Sequence, residues 1–193
     1  MPTLKLYMLL LGCRPKGRHT EQHDIFFSVA NSLKELIPEI KQFWPEVKGN
    51  IHIDAWREVT AVDGYIISII PKQQAVKDQK NKKLFFINLG GYRENEFDEF
   101  HYKVLTVADS TSTAAAKAKK TTFYKQASLK DSANHQEAYS HVDEKFGIDV
   151  DELYDVREIL SPNVKEKYII QITEGQAPED ACHLGYTKLI SLK

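Results

Sequence analysis

Four pairs of ionisable residues have a spacing that could support chemistry. Glu21 and His23 are two residues apart, as are Glu99 and His101, His52 and Asp54, and His141 and Asp143. Alternate residues share a face of a strand, so each pair would point one way. A histidine beside a carboxylate can serve as a general base with its orienting partner, or as half of a metal site. The plainer reading is a hydrogen-bonded pair that ties down a strand end. A metal centre needs three or four converging ligands. Spacing alone shows no convergence, so neither a metal nor a cofactor is expected.

A second constellation is the basic loop that holds Arg14, Lys16, Arg18 and His19 between Gly12 and Thr20. Backbone N–H groups near Gly12 and Gly17 could cradle an anion there, backed by positive charge. The alternative is an ordinary solvated loop. The spacing fits neither a P-loop nor a dinucleotide-binding fingerprint. Cys13 lies next to this loop, where a thiolate would be favoured. Trp44 and Trp56 read as core aromatics.

These residues need elements to position them, and an internal repeat says which. Lys5-Leu6-Tyr7-Met8-Leu9-Leu10-Leu11-Gly12 returns 78 residues later as Lys83-Leu84-Phe85-Phe86-Ile87-Asn88-Leu89-Gly90. In the same register Glu21-Gln22-His23 falls on Glu99-Phe100-His101, and Val29-Ala30-Asn31-Ser32 on Val107-Ala108-Asp109-Ser110. The continuous apolar run from Leu4 to Leu11 reads as a strand buried on both faces, with Gly12 closing it. The segment from Gln22 to Ala30 is taken as a strand, because its partner from Phe100 to Val107 is aromatic and β-branched. Helices follow from about Ser32 to Phe43 and from Thr111 to Tyr124. The first has an apolar Leu33/Leu36/Ile37/Ile40/Phe43 face, the second a small alanine face. Ser32 with Glu35 reads as a capping box, and Asp109-Ser110 as the matching N-cap signal.

Further strands are expected over 51–56 and 65–70, joined by a turn at Asp63-Gly64, and over 154–159 and 168–172. Trp56-Arg57-Glu58-Val59 is matched with Val156-Arg157-Glu158-Ile159. The predicted fold is α+β: tandem ββαββ repeats related by a pseudo-twofold, each an antiparallel meander covered by a helix. The first repeat takes residues 1–71, a polar linker 72–82, and the second repeat 83–193 with an insertion over 125–149. The stretch 183–190 could add an edge strand.

Composition bounds the function. Residues 1–78 carry ten Lys/Arg against nine Asp/Glu, and 79–193 carry sixteen against eighteen, so charge does not segregate. A duplex-binding protein would show a basic excess or stripe, and nucleic acid is therefore disfavoured. Cys13 and Cys182 form no disulfide framework, and the Leu4–Leu11 run is too short for a signal or a membrane span. A cytoplasmic protein with reduced thiols and no membrane partner is the expectation.

Three stretches resemble a known family: residues 11–27 (Leu-Gly-Cys-Arg-Pro-Lys-Gly-Arg-His-Thr-Glu-Gln-His-Asp-Ile-Phe-Phe), Phe43-Trp44-Pro45-Glu46, and 52–65 (His-Ile-Asp-Ala-Trp-Arg-Glu-Val-Thr-Ala-Val-Asp-Gly-Tyr). They are similar to the bacterial domain of unknown function 1543, which occurs in one or two copies per chain. The resemblance implies bacterial origin and the tandem arrangement, and brings no activity with it. Two functions stay open. One is a non-enzymatic binding module taking a small anion or a protein segment through Arg14, Lys16, Arg18, His19, Glu21, His23, His52 and Asp54, with a homodimer as a natural form. The other is a metal-dependent or His/carboxylate hydrolase using Glu21, His23, His52 and Asp54.

Overall fold

The computed structural model describes residues 4–47, 50–74, 81–92, 97–120 and 149–192, without the side chains of Tyr92 and Asp149. The chain forms two compact units. Unit one is Met1–Gln79 with Ile159–Lys193, and unit two is Lys80–Glu158. The fold is mixed α+β with antiparallel sheets and few helices.

Unit one is built on β1 (Lys5–Cys13), whose residues are almost all buried, as an apolar run on both faces requires. β2 (Gln22–Ala30) pairs with one side of it and β3 (His52–Glu58) with the other. β10 (His183–Lys188) adds an edge to β3, giving the order β10-β3-β1-β2. The face bearing Tyr7, Leu9, Leu11 and Cys13 packs on Phe26, Leu36, Ile40 and Ile53. The expected first helix begins as a 3₁₀ turn over Leu33–Leu36 and becomes helix α1 only at Ile37–Phe43. Pro38 explains the break, since it lies in the first turn of α1, where its missing N–H costs nothing. The capping box does not form. Glu35 accepts from the Asn31 backbone N–H and side chain, whereas the Ser32 hydroxyl caps nothing.

The expected meander is replaced by another pairing. β4 (Ala61–Val62) turns through Asp63-Gly64 into β5 (Tyr65–Pro71), and both turn residues have positive φ, the mark of a type I′ hairpin. β5 then pairs along its length with β9 (Tyr168–Glu174) rather than with β3. The resulting sheet has the order β4-β5-β9.

In unit two, β6 (Lys83–Tyr92) is flanked by β7 (Glu99–Ala108) and β8 (Asp149–Asp155). Lys83 faces Ala108 and Gly90 faces His101, as Lys5 faces Ala30 and Gly12 faces His23 in unit one. Both units also have a bulge on the other side of the central strand. Asp54 is the extra residue in β3 and Asp151 in β8. Residues 111–120 form helix α2, whose Ala114 and Ala118 rest on Phe85, Ile87 and Leu89. Here the Ser110 hydroxyl does accept from the Thr113 N–H, a true N-cap.

The strand expected over 154–159 stops at Asp155, and Val156–Ile159 is a short helix, α3. Asp155 is the reason. Its carboxylate accepts from the Arg157 backbone N–H and from Nε–H and Nη2–H of the Arg157 guanidinium, which turns the chain out of the sheet. The strand registers set Asp155, not Glu158, at the Glu58 position. The matching of 156–159 with 56–59 is therefore three residues out. Helix α4 (Pro162–Lys167) then leads into β9. The pair His141/Asp143, residues 75–80 of the linker and 125–148 of the insertion lie outside the described residues.

Candidate functional site

β1 places Gly12 between two strands. Its partner on β2 is His23 and its partner on β3 is His52. Residues directly opposite in antiparallel strands share a face, so both imidazoles rise on the sheet face that Gly12 occupies. Glu21, two residues before His23, rises on that face too. The β3 bulge turns Asp54 inward as well. Because glycine has no Cβ, the Asp54 carboxylate and the His52 ring can lean over β1. A Cβ at Gly12 would overlap both.

Four side chains close a ring. His52 Nε2 is 3.1 Å from Glu21 Oε1 and 3.3 Å from Asp54 Oδ1. His23 Nε2 is 3.4 Å from Asp54 Oδ2 and 3.7 Å from Glu21 Oε2. Each carboxylate thus spans both imidazoles. The His52 side chain is only 5% exposed, against 43% for His23, so the ring has a buried end and a wet end. Tyr186 of β10 closes the buried end, its ring 4.2 Å from that of His52. Despite these short separations, His52 Nε2 and Asp54 Oδ2 are buried without a hydrogen bond among the described residues.

The basic residues behave differently. Arg14, Lys16, Arg18 and His19 are all exposed on the loop from β1 to β2. No ion pair or hydrogen bond ties any of them to the ring among the described residues. The loop's own order comes from a turn in which the Arg18 N–H donates to the Pro15 carbonyl. Cys13 corrects the expectation of a reactive thiolate. It is fully buried, and burial, reinforced by the Glu21 and Glu46 carboxylates, pushes its thiol above the ordinary cysteine range. Sequence reading missed Gly12 as the floor of the site, since a glycine at a strand end reads as a stop. It also missed Tyr186, which arrives from the far end of the chain with no spacing signal.

Residues 18–69 match the family model described as Domain of Unknown Function (DUF1543). That segment holds all four ring residues and supports the family. Unit two lies outside it. A crystal structure of protein Il1583 from Idiomarina loihiensis matches with a TM-score of 0.56 at 23% identity, covering 96% of this chain and 97% of that one. This likeness concerns the fold. No curated protein matches the chain. Among the described residues, no helix is long and apolar enough to cross a membrane.

Proposed function

We propose that the protein is a binding module that holds a divalent metal ion at Glu21, His23, His52 and Asp54. One observation carries the reading: His52 Nε2 sits buried between two carboxylate oxygens, and its geometry is not that of a hydrogen bond. Carboxylate oxygens offer only lone pairs. A nitrogen facing them at such range fits a shared cation, and desolvation makes an unshared arrangement costly. With both imidazoles neutral the ring has a formal charge of −2, which favours a cation over the anion suggested by the nearby loop. Two imidazoles and two carboxylates suit ions of the Zn²⁺, Co²⁺ or Ni²⁺ kind.

The exposed basic loop then forms a rim beside the ion, suited to a small anionic ligand that completes the coordination. Two tandem copies of one ancestral unit account for the matching registers and bulges. They also account for the β5–β9 pairing: Tyr65 faces Glu174, Pro71 faces Tyr168, and Ser68 faces Gln171, so exchanging the copies maps the ladder onto itself.

Calorimetric titration of the chelator-treated protein with Zn²⁺ tests the site. One equivalent should bind to the wild type, and His52→Gln and Asp54→Asn should each weaken that binding at least tenfold with an unchanged circular dichroism spectrum. Native-state binding at 100 times Kd would also raise stability by about 2.7 kcal/mol. Absence of binding, or binding indifferent to both substitutions, would leave only proton-shared ion pairs at the ring.

A further inference from the structure

Unit two contains a second convergence of ligand-type side chains. Glu99 and His101 stand two residues apart on β7, and Asp151 is the bulged residue of β8. Each offers one donor atom, and the three atoms lie within 4.8 Å of one another. His101 Nε2 is 3.4 Å from Asp151 Oδ2. Ligand bonds of about 2.0–2.2 Å allow donors around one ion to be up to about 4.4 Å apart. A small movement of exposed side chains therefore brings all three onto a single ion.

The placement repeats the first site element by element. Gly90 faces His101 as Gly12 faces His23. The Asp151 carboxylate fills the space where a Gly90 Cβ would be, as the Asp54 carboxylate does above Gly12. Surface charge scattered at random would not reproduce a glycine floor, a bulge bearing aspartate and a Glu-x-His strand on the opposite side. One position differs. The residue facing Gly90 from β8 is Asp149, where unit one has His52.

We propose that Glu99, His101 and Asp151 form a second divalent-cation site with a different preference from the first. One imidazole and two carboxylates make a harder donor set, suited to Mn²⁺ with several coordination positions left to water. His101 is 40% exposed, so the ion exchanges readily and the site is the weaker of the two. All three donors belong to unit two, so cation binding there is measured separately from the ring in unit one.

The test uses the full chain, stripped with chelator, loaded with one equivalent of Zn²⁺ and then titrated with Mn²⁺. The electron paramagnetic resonance signal of free Mn²⁺ is followed. One equivalent of Mn²⁺ should leave solution with the wild type. His101→Gln and Asp151→Asn, on different strands, should each weaken Mn²⁺ at least tenfold and leave the Zn²⁺ equivalent intact, while His52→Gln, titrated without added Zn²⁺ because freed Zn²⁺ would compete for the second site, should still take up one equivalent of Mn²⁺. No Mn²⁺ uptake, or uptake unchanged in both unit-two variants, overturns the second site even if Zn²⁺ still depends on His52. Mn²⁺ uptake that depends on His101 and Asp151 in a protein that takes no Zn²⁺ upholds it and removes the first reading instead.

Discussion

At the scale of single residues, the site depends on what is missing from Gly12. Gly12→Ala would force a methyl group into the Asp54 carboxylate and the His52 ring. We expect Zn²⁺ binding to weaken at least tenfold and stability to fall by about 1–3 kcal/mol, both measurable by calorimetry. Cys13 and Cys182 give a second test. Cys182 is exposed and Cys13 buried with a raised thiol pKa, so one thiol per native chain should react rapidly with Ellman's reagent at pH 8 and the other only after unfolding. The chemistry-bearing pairs Glu21/His23 and His52/Asp54 were legible from spacing, because alternation on a strand is a local rule. Their meeting was not, because it depends on β2 and β3 flanking the same glycine. Nor was the buried state of Cys13, which depends on the core face of β1.

At the scale of elements, the strands were the most legible part. The apolar run of β1 and the aromatic, β-branched run of β7 each announce a strand, and the repeat register extends that reading to β2. A turn at Asp63-Gly64 was legible from the pair itself, but its type I′ geometry and the short β4 it joins to β5 were not. Gly64, at φ 78°, should resist substitution, and Gly64→Ala should cost about 1 kcal/mol in a urea titration. The end of β8 misled, because Val156-Arg157-Glu158-Ile159 has strand-like composition while the decisive group is the side chain of Asp155. Burial opposes charge on Asp155, but hydrogen bonds from Arg157 and the nearby Lys83 outweigh it and hold the carboxyl below its usual range. A carboxyl with a depressed folded pKa stabilises the protein above its unfolded value, about 3.9, and that contribution fades as pH falls through the lower folded value. Asp155→Asn should therefore cost about 1–3 kcal/mol at pH 7, a figure reduced for the half-exposed Arg157. The gap from wild type should be the same at pH 7 and 5 and begin to narrow below about pH 4, read by urea titrations at pH 7, 5 and 3.

At the scale of the whole molecule, the chain returns to its beginning. Residues 159–193 supply β9 to β5 and β10 to β3, so unit one is assembled from both ends of the sequence. No local pattern distinguishes a strand that pairs with its neighbour in sequence from one that pairs about a hundred residues away, which is why a meander was expected. A chain truncated after Glu158 would leave β3 and β5 each with an open edge. It should elute as aggregate in size-exclusion chromatography where the full chain does not. Gly12 and Gly90, the bulged Asp54 and Asp151, and the pairs Glu21/His23 and Glu99/His101 take matching register positions, with His52 facing Gly12 and Asp149 facing Gly90 across the third strand. The most direct measurement is anomalous diffraction at the zinc edge from crystals of the Zn²⁺-loaded protein. The account predicts a peak about 2.0–2.2 Å from His52 Nε2, with Asp54 oxygen in its coordination shell. Zinc bound elsewhere, with His52 Nε2 still facing Glu21 and Asp54 and no peak between them, would contradict it.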